Sequence, residues 1–130
     1  MQAFIDTSYF FARLVAHDQW HSKAKRAASA NLAAVTSSLV LNETASLLQA
    51  KGMFPTALTF LAGVRHSEQI RVIHVDPVLQ AEAWDLFGKW GATGANVVDC
   101  ASFAIMRSLS IRRAFTFDHH FQVAGFEILR

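Results

Sequence analysis

The chain has 130 residues, 52% hydrophobic and 17% charged, a size and balance that suit one buried core and exclude a disordered chain. No apolar run approaches the ~20 residues of a membrane-spanning helix, and Asp6 interrupts the first one too early for a signal peptide. A soluble, cytoplasmic protein is therefore expected, and the lone Cys100 excludes an intrachain disulfide.

Strand and helix signals alternate along the chain. Ala3-Phe4-Ile5 reads as a short buried strand, followed by helical pattern from about Thr7 to Val15. His17-Asp18 marks a turn, and Trp20 to Ala30 reads as a polar-faced helix. Ala34-Val35-Thr36 is a second strand, and Leu39 to Lys51 a helix stopped by Gly52. Pro55 suits the first turn of the next helix, which runs to about Ser67. Arg71 to Val75 alternates and is β-branched, as a third strand would be. Asp76-Pro77 supplies an N-cap and an N1 proline for a helix to about Trp90. Gly91 to Ala95 is a loop, Val97 to Leu109 a helix, Arg113 to Phe117 a fourth strand and Phe126 to Leu129 a fifth. With no linker or repeat, this predicts one domain over residues 1–130. Its fold is α/β, three layers with a mostly parallel four- to five-stranded sheet. Right-handed crossovers bring the C-terminal strand ends to one rim, where sites in such folds form.

Four acids converge on that rim. Asp6 and Asp118 each follow an apolar strand, where an aspartate also caps the helix or turn that comes next. Glu43 shares a helix face with Leu39 and Leu47, and an ionised carboxylate on a buried stripe wants a cation or a shifted pKa. At the stripe's margin it would instead reach water. Asp99 lies in line with Phe103 and Met106, and Asn96 three residues earlier makes it the N3 acid of a capping box. A first-turn carboxylate also faces the rim, so both roles are compatible. Four carboxylates from four elements form an oxygen-rich pocket suited to Mg²⁺ or Mn²⁺. The chemistry that implies is phosphodiester hydrolysis.

Other clusters carry less. His17 and His21 stand i, i+4 apart, but no third ligand is evident. His119-His120 follows Asp118, and of two adjacent side chains at most one should approach a substrate phosphate. Cys100 reads as a small buried side chain. No glycine-rich phosphate loop occurs. Receiver-type and haloacid-dehalogenase-like folds lose as well, the latter because Ser8 stands where a second acid is needed.

Phe4-Ile5-Asp6-Thr7-Ser8, Thr36 to Thr44, Val98 to Met106, and Ala114 to Phe121 with Ala124-Gly125-Phe126 together resemble the PIN-domain nucleases. The resemblance is strongest to the VapC-like toxins of toxin–antitoxin modules and runs nearly end to end. It implies that Asp6, Glu43, Asp99 and Asp118 are the acidic quartet, catalytic and metal-binding, with Asp118 at the family's most variable position. The implied activity is a Mg²⁺- or Mn²⁺-dependent endoribonuclease leaving 5′-phosphate and 3′-hydroxyl ends. It further implies a homodimer neutralised by a small antitoxin, for which Phe10, Phe11 or Trp20 could line a groove. Lys89, Arg107, Arg112 and Arg113 could steer RNA phosphates, or be solvated surface charge. The competing reading is a non-catalytic binding module whose carboxylates hold a structural ion.

Overall fold

The computed structural model describes residues 2–27 and 33–130. Five strands form one sheet in the order β3-β2-β1-β4-β5, and every neighbouring pair is parallel. They are β1 (Gln2–Ile5), β2 (Ala33–Ser37), β3 (Ile70–Ile73), β4 (Arg113–Phe115) and β5 (Glu127–Leu129). The helices are α1 (Thr7–Leu14), α2 (His21–Ala27), α3 (Ser38–Ala50), α4 (Phe54–Arg65), α5 (Pro77–Trp90), α6 (Val97–Ser108) and α7 (His120–Val123). They pack among themselves in two groups, α1–α4 and α5–α7, flanking the sheet.

Burial explains the arrangement. β1 is the central strand, and Ala3, Phe4 and Ile5 are all buried, as a parallel strand covered on both faces requires. Phe103 of α6 is fully buried, with its ring 5.0 Å from Phe121 in an edge-to-face contact and 5.6 Å from Phe126. Truncating it to alanine should cost about 3–5 kcal/mol, the usual range for a buried aromatic.

Several boundaries move from the sequence expectation. The sheet is wholly parallel, with five strands. The third strand ends at Ile73, and of the helix expected from Trp20 to Ala30 the structure shows His21–Ala27, residues 28–30 lying outside the described part. The expected loop after Trp90 holds a 3-10 turn, Gly91–Thr93. β4 stops at Phe115 instead of Phe117, and the reason is chemical. The Phe117 amide donates to Ser8 Oγ (2.9 Å) and the Asp118 amide to Thr116 Oγ1 (3.0 Å). Side-chain hydroxyls thus replace strand partners where the sheet ends.

The chain builds β1, β2 and β3 outward on one side, then returns to β4 and β5 on the other. The order therefore reverses between β1 and β4. In open parallel sheets the crevice beyond the strand ends at such a reversal is where ligands bind. Asp6 leaves β1 and Thr116–Asp118 leaves β4 at that crevice, with the Asp6 amide donating to the Phe115 carbonyl (3.1 Å).

Candidate active site

Asp6 is the N-cap of α1, and its carboxyl is 3% exposed. Oδ2 accepts from Ser8 Oγ (2.9 Å), from Thr116 Oγ1 (2.9 Å) and, at 3.4 Å, from the Ser8 amide. Oδ1 is buried with no hydrogen-bond partner among the described residues. Burial pushes this carboxyl from the ordinary 3.8 up to about 6; the Thr116 and Ser8 bonds resist the shift, and the charge of Asp118 adds to it.

Asp99 forms the capping box that the sequence predicts. Its amide donates to Asn96 Oδ1 (2.8 Å), and its Oδ2 accepts from the Asn96 amide (2.9 Å). Burial raises its pKa to about 7 against the lowering effect of the Asn96 amide, and the charges of Asp6, Asp118 and Glu43 raise it further. One carboxyl thus feels all three others. The charges of the other three acids thus reach Asp99, although all four come from separate parts of the chain.

The outer two are held differently. Oδ1 of Asp118 accepts from the His120 amide (2.9 Å) and lies 2.6 Å from His120 Nδ1, while its side chain is 27% exposed. Burial lowers the His120 pKa, but the Thr93 carbonyl and the Asp118 carboxylate outweigh it, and the net shift is upward. Glu43 is half-buried and makes no hydrogen bond or ion pair among the described residues. The buried stripe of α3 is Val40, Leu41, Thr44 and Leu48, while Leu47 is 44% exposed. The stripe expected through Leu39, Glu43 and Leu47 is therefore displaced by about one position, and Glu43 lies at its margin.

Of the other expectations some hold and some change. His119 and His120 both lie near the Asp118 carboxylate: His119 Nδ1 is 4.0 Å from Oδ1, and the two rings are 4.2 Å apart. His21 Nδ1 is instead taken up by the Ala12 carbonyl at 2.7 Å. Arg112 and Arg113 sit beside Gln2, where β1 and β4 begin, at the end of the sheet opposite the acids, and Arg113 pairs with Glu127 at 3.0 Å. Arg107 closes α6, about 12 Å along the helix from Asp99. Lys89 packs 5.1 Å from the Trp90 ring. Phe10 is buried, and Phe11 and Trp20 are half-buried, Trp20 stacking on Phe117 at 5.2 Å. Among the described residues the exposed large apolar side chains are Leu47, Phe54 and Leu58 on α3 and α4, with Val78, Trp84 and Phe87 on α5, and Val123 on α7. Cys100 is a buried thiol whose pKa burial pushes up.

Sequence reasoning passed over the hydroxyls of Ser8 and Thr116, and the groove of about 540 Å³ between α3, α4 and β3. That groove is lined by Ser38, Leu41, Asn42, Leu61, Arg65, Val72 and His74. The hydroxyls left only the pattern Asp-x-Ser and Thr-x-Asp as a trace, which many loops share.

The donor set fits a divalent cation. A buried carboxylate oxygen without a partner is costly unless a cation or proton meets it, and oxygen ligands of this kind suit Mg²⁺ and Mn²⁺.

A parallel sheet with acids at its reversal point is an architecture that nuclease domains share with other α/β enzymes, and the PIN domain model matches residues 3–127. The chain belongs to the PIN-domain family. It is 38% identical over 128 residues to the 23S rRNA-specific endonuclease VapC20 of two Mycobacterium tuberculosis strains, covering 98% of this chain and 97% of that protein. The crystal structure of M. tuberculosis VapC20, a sarcin-ricin loop cleaving toxin, superposes with a TM-score of 0.89 at 35% identity, covering 95% of each chain. A toxin–antitoxin complex from Klebsiella pneumoniae shares the fold at TM-score 0.66 and 11% identity, with 98% and 96% covered. VapBC2 from Rickettsia felis, bound to promoter DNA, shares it at 0.64 and 13%, with 100% and 98% covered.

Proposed function

We propose that this PIN domain is a divalent-metal-dependent endoribonuclease, the toxin of a toxin–antitoxin pair, with 23S rRNA as its substrate and Asp6, Glu43, Asp99 and Asp118 as its catalytic metal ligands. The observation that supports the reading is the buried Asp6 Oδ1, which has no partner among the described residues, together with the influence of the charges of Asp6, Asp118 and Glu43 on Asp99. The substrate is taken from the M. tuberculosis relative, whose length and fold this chain matches almost throughout.

Mg²⁺ or Mn²⁺ in this site would supply charge neutralisation at the scissile phosphate and acidify an attacking water. The residues do the rest. Ser8 and Thr116 fix Asp6 by Oδ2 and leave Oδ1 as its ligand atom. The capping box fixes Asp99 by Oδ2 in the same way. Both inner carboxyls must be deprotonated to coordinate, so cleavage should rise with pH through about 6 to 7. Arg65 and His74 in the groove between α3, α4 and β3 would receive RNA phosphates, whereas Arg112 and Arg113 lie at the far end of the sheet. The 2′-hydroxyl has no part in the chemistry, so selection of RNA falls to shape and loop contacts. The exposed apolar faces of α3–α4 and α5 would be covered by a second copy and by an antitoxin.

The test is to incubate the purified protein with ribosomes and with naked structured RNA, in Mn²⁺ or in EDTA, and to map the ends. The expected result is one dominant cut in 23S rRNA, with a 5′-phosphate, that EDTA abolishes. Cleavage indifferent to EDTA would contradict the metal-dependent reading. A clean cut in some other RNA would overturn the substrate alone. Among the described residues no helix is long and apolar enough to cross a membrane.

A further inference from the structure

Asp118 lies three residues past the end of β4, where the ladder no longer holds the chain. Its carboxylate is placed by local contacts, and the strongest is to His120. Nδ1 of that ring lies 2.6 Å from Asp118 Oδ1, and Nε2 lies 2.9 Å from the Thr93 carbonyl oxygen. A carbonyl only accepts, so Nε2 donates to it, and Nδ1 faces the carboxylate oxygen Oδ1 within hydrogen-bond distance. The ring thus spans from the fourth acid to the turn Gly91–Thr93, which leads directly into Asn96 and the capping box of Asp99.

Two further observations show a site built around this ring. Gly94 has φ +103, and a Cβ there would lie 2.9 Å from His120 Nε2, so the turn must carry glycine to let the imidazole reach Thr93. The next residue, Phe121, is fully buried against Phe103 of α6, the helix that carries Asp99. The backbone under His120 is therefore anchored to the same helix.

We propose that His120 is a positioning residue: its imidazole holds Asp118 Oδ1, leaves Oδ2 for the cation, and ties Asp118 to the connector that sets Asp99. This rests on the reading of the four acids as a metal site. Partners that orient a metal ligand change metal affinity by roughly 10–100-fold when removed. A residue that only pinned the connector would alter stability and leave metal affinity alone.

The two nitrogens separate these roles. Asparagine can place its amide nitrogen near the Nδ1 position, facing Asp118, and glutamine near the Nε2 position, facing Thr93. Mn²⁺ binding to RNA-free protein is measured by calorimetry for wild type, His120→Ala, His120→Asn and His120→Gln, with the metal-free melting temperature as the folding check. The expected order is wild type tightest, Asn close behind, and Ala and Gln weaker by about tenfold or more. The Mn²⁺ concentration for half-maximal cleavage should follow the same order. Wild-type affinity in the Ala variant overturns the inference, and so does recovery by Gln as complete as by Asn. If Ala fails to fold, the Asn–Gln comparison decides. A wild type that binds no Mn²⁺ overturns the metal-site reading and this inference together, whereas normal wild-type binding with no effect at His120 overturns this inference alone.

Discussion

The inner and outer carboxylates of the site are built on opposite plans. Asp6 and Asp99 are 3% and 5% exposed, each bonded through Oδ2 to groups of the rigid scaffold, and each pushed well above the ordinary carboxylate range. Asp118 and Glu43 are half-buried; one is held by a histidine, and the other makes no hydrogen bond among the described residues. The inner pair is preorganised at the expense of stability, because its charge is desolvated before any cation arrives. The outer pair is more exposed and freer to adjust. Substitutions should therefore separate activity from stability differently in the two halves.

The largest effect should come from Asp6→Asn and Asp99→Asn, which keep a capping acceptor and remove a charge. Cleavage should fall by about 100-fold or more, the scale for losing one group that stabilises charge in the transition state. Activity within a few-fold of wild type in Asp99→Asn would return that residue to a capping role alone. Next, the metal-free Asp99→Asn protein should be more stable than wild type at neutral pH, by on the order of 2 kcal/mol, since a buried charge has been removed. Glu43→Gln should lower cleavage and relieve toxicity in cells, yet change metal-free stability by less than about 0.5 kcal/mol. Equal stabilisation by the two substitutions in denaturant melts would erase the distinction between inner and outer acids.

A smaller effect is the pH dependence of the metal-free protein. Folding raises the pKa of Asp6 to about 6 and of Asp99 to about 7, so between pH 4 and 7 the folded state binds protons that the unfolded chain has released. Stability from these groups is fully present below about pH 4 and is lost as pH rises through their folded values. Asp99→Asn should flatten that decline. An identical pH profile in the variant would show that the site does not strain the fold.

This contrast also explains what could be read from residues alone. The inner acids declare themselves through local pattern: Asp6 by the apolar run before it, Asp99 by Asn96 three residues earlier. The parallel sheet and its shared rim follow from alternating elements and right-handed crossovers, whereas the strand order and its reversal do not. The outer half depends on tertiary contacts that no periodicity encodes. Thr116 reads as strand because phenylalanines flank it, while its hydroxyl ends the strand by bonding Asp6 and the Asp118 amide. Glu43 reads as part of a buried stripe, but that stripe runs through Val40, Thr44 and Leu48, since helix phase is set by packing against α1 and α4. His120 gave no local sign of its partner Thr93, 27 residues away. The basic residues misled for a similar reason: Arg112 and Arg113 are near Asp118 in sequence but open the strand that Asp118 follows.

The central claim is that the four carboxylates make one cation site. The most direct measurement is the melting temperature of demonstrably metal-free protein at neutral pH, with and without Mn²⁺ at about a hundredfold excess over its Kd. Binding to the folded state alone contributes about 2.7 kcal/mol, a rise on the order of 10 °C for a chain of this size. The account expects that rise in the wild type and its near-disappearance in Asp99→Asn. A melting temperature that millimolar Mn²⁺ leaves unchanged would contradict it.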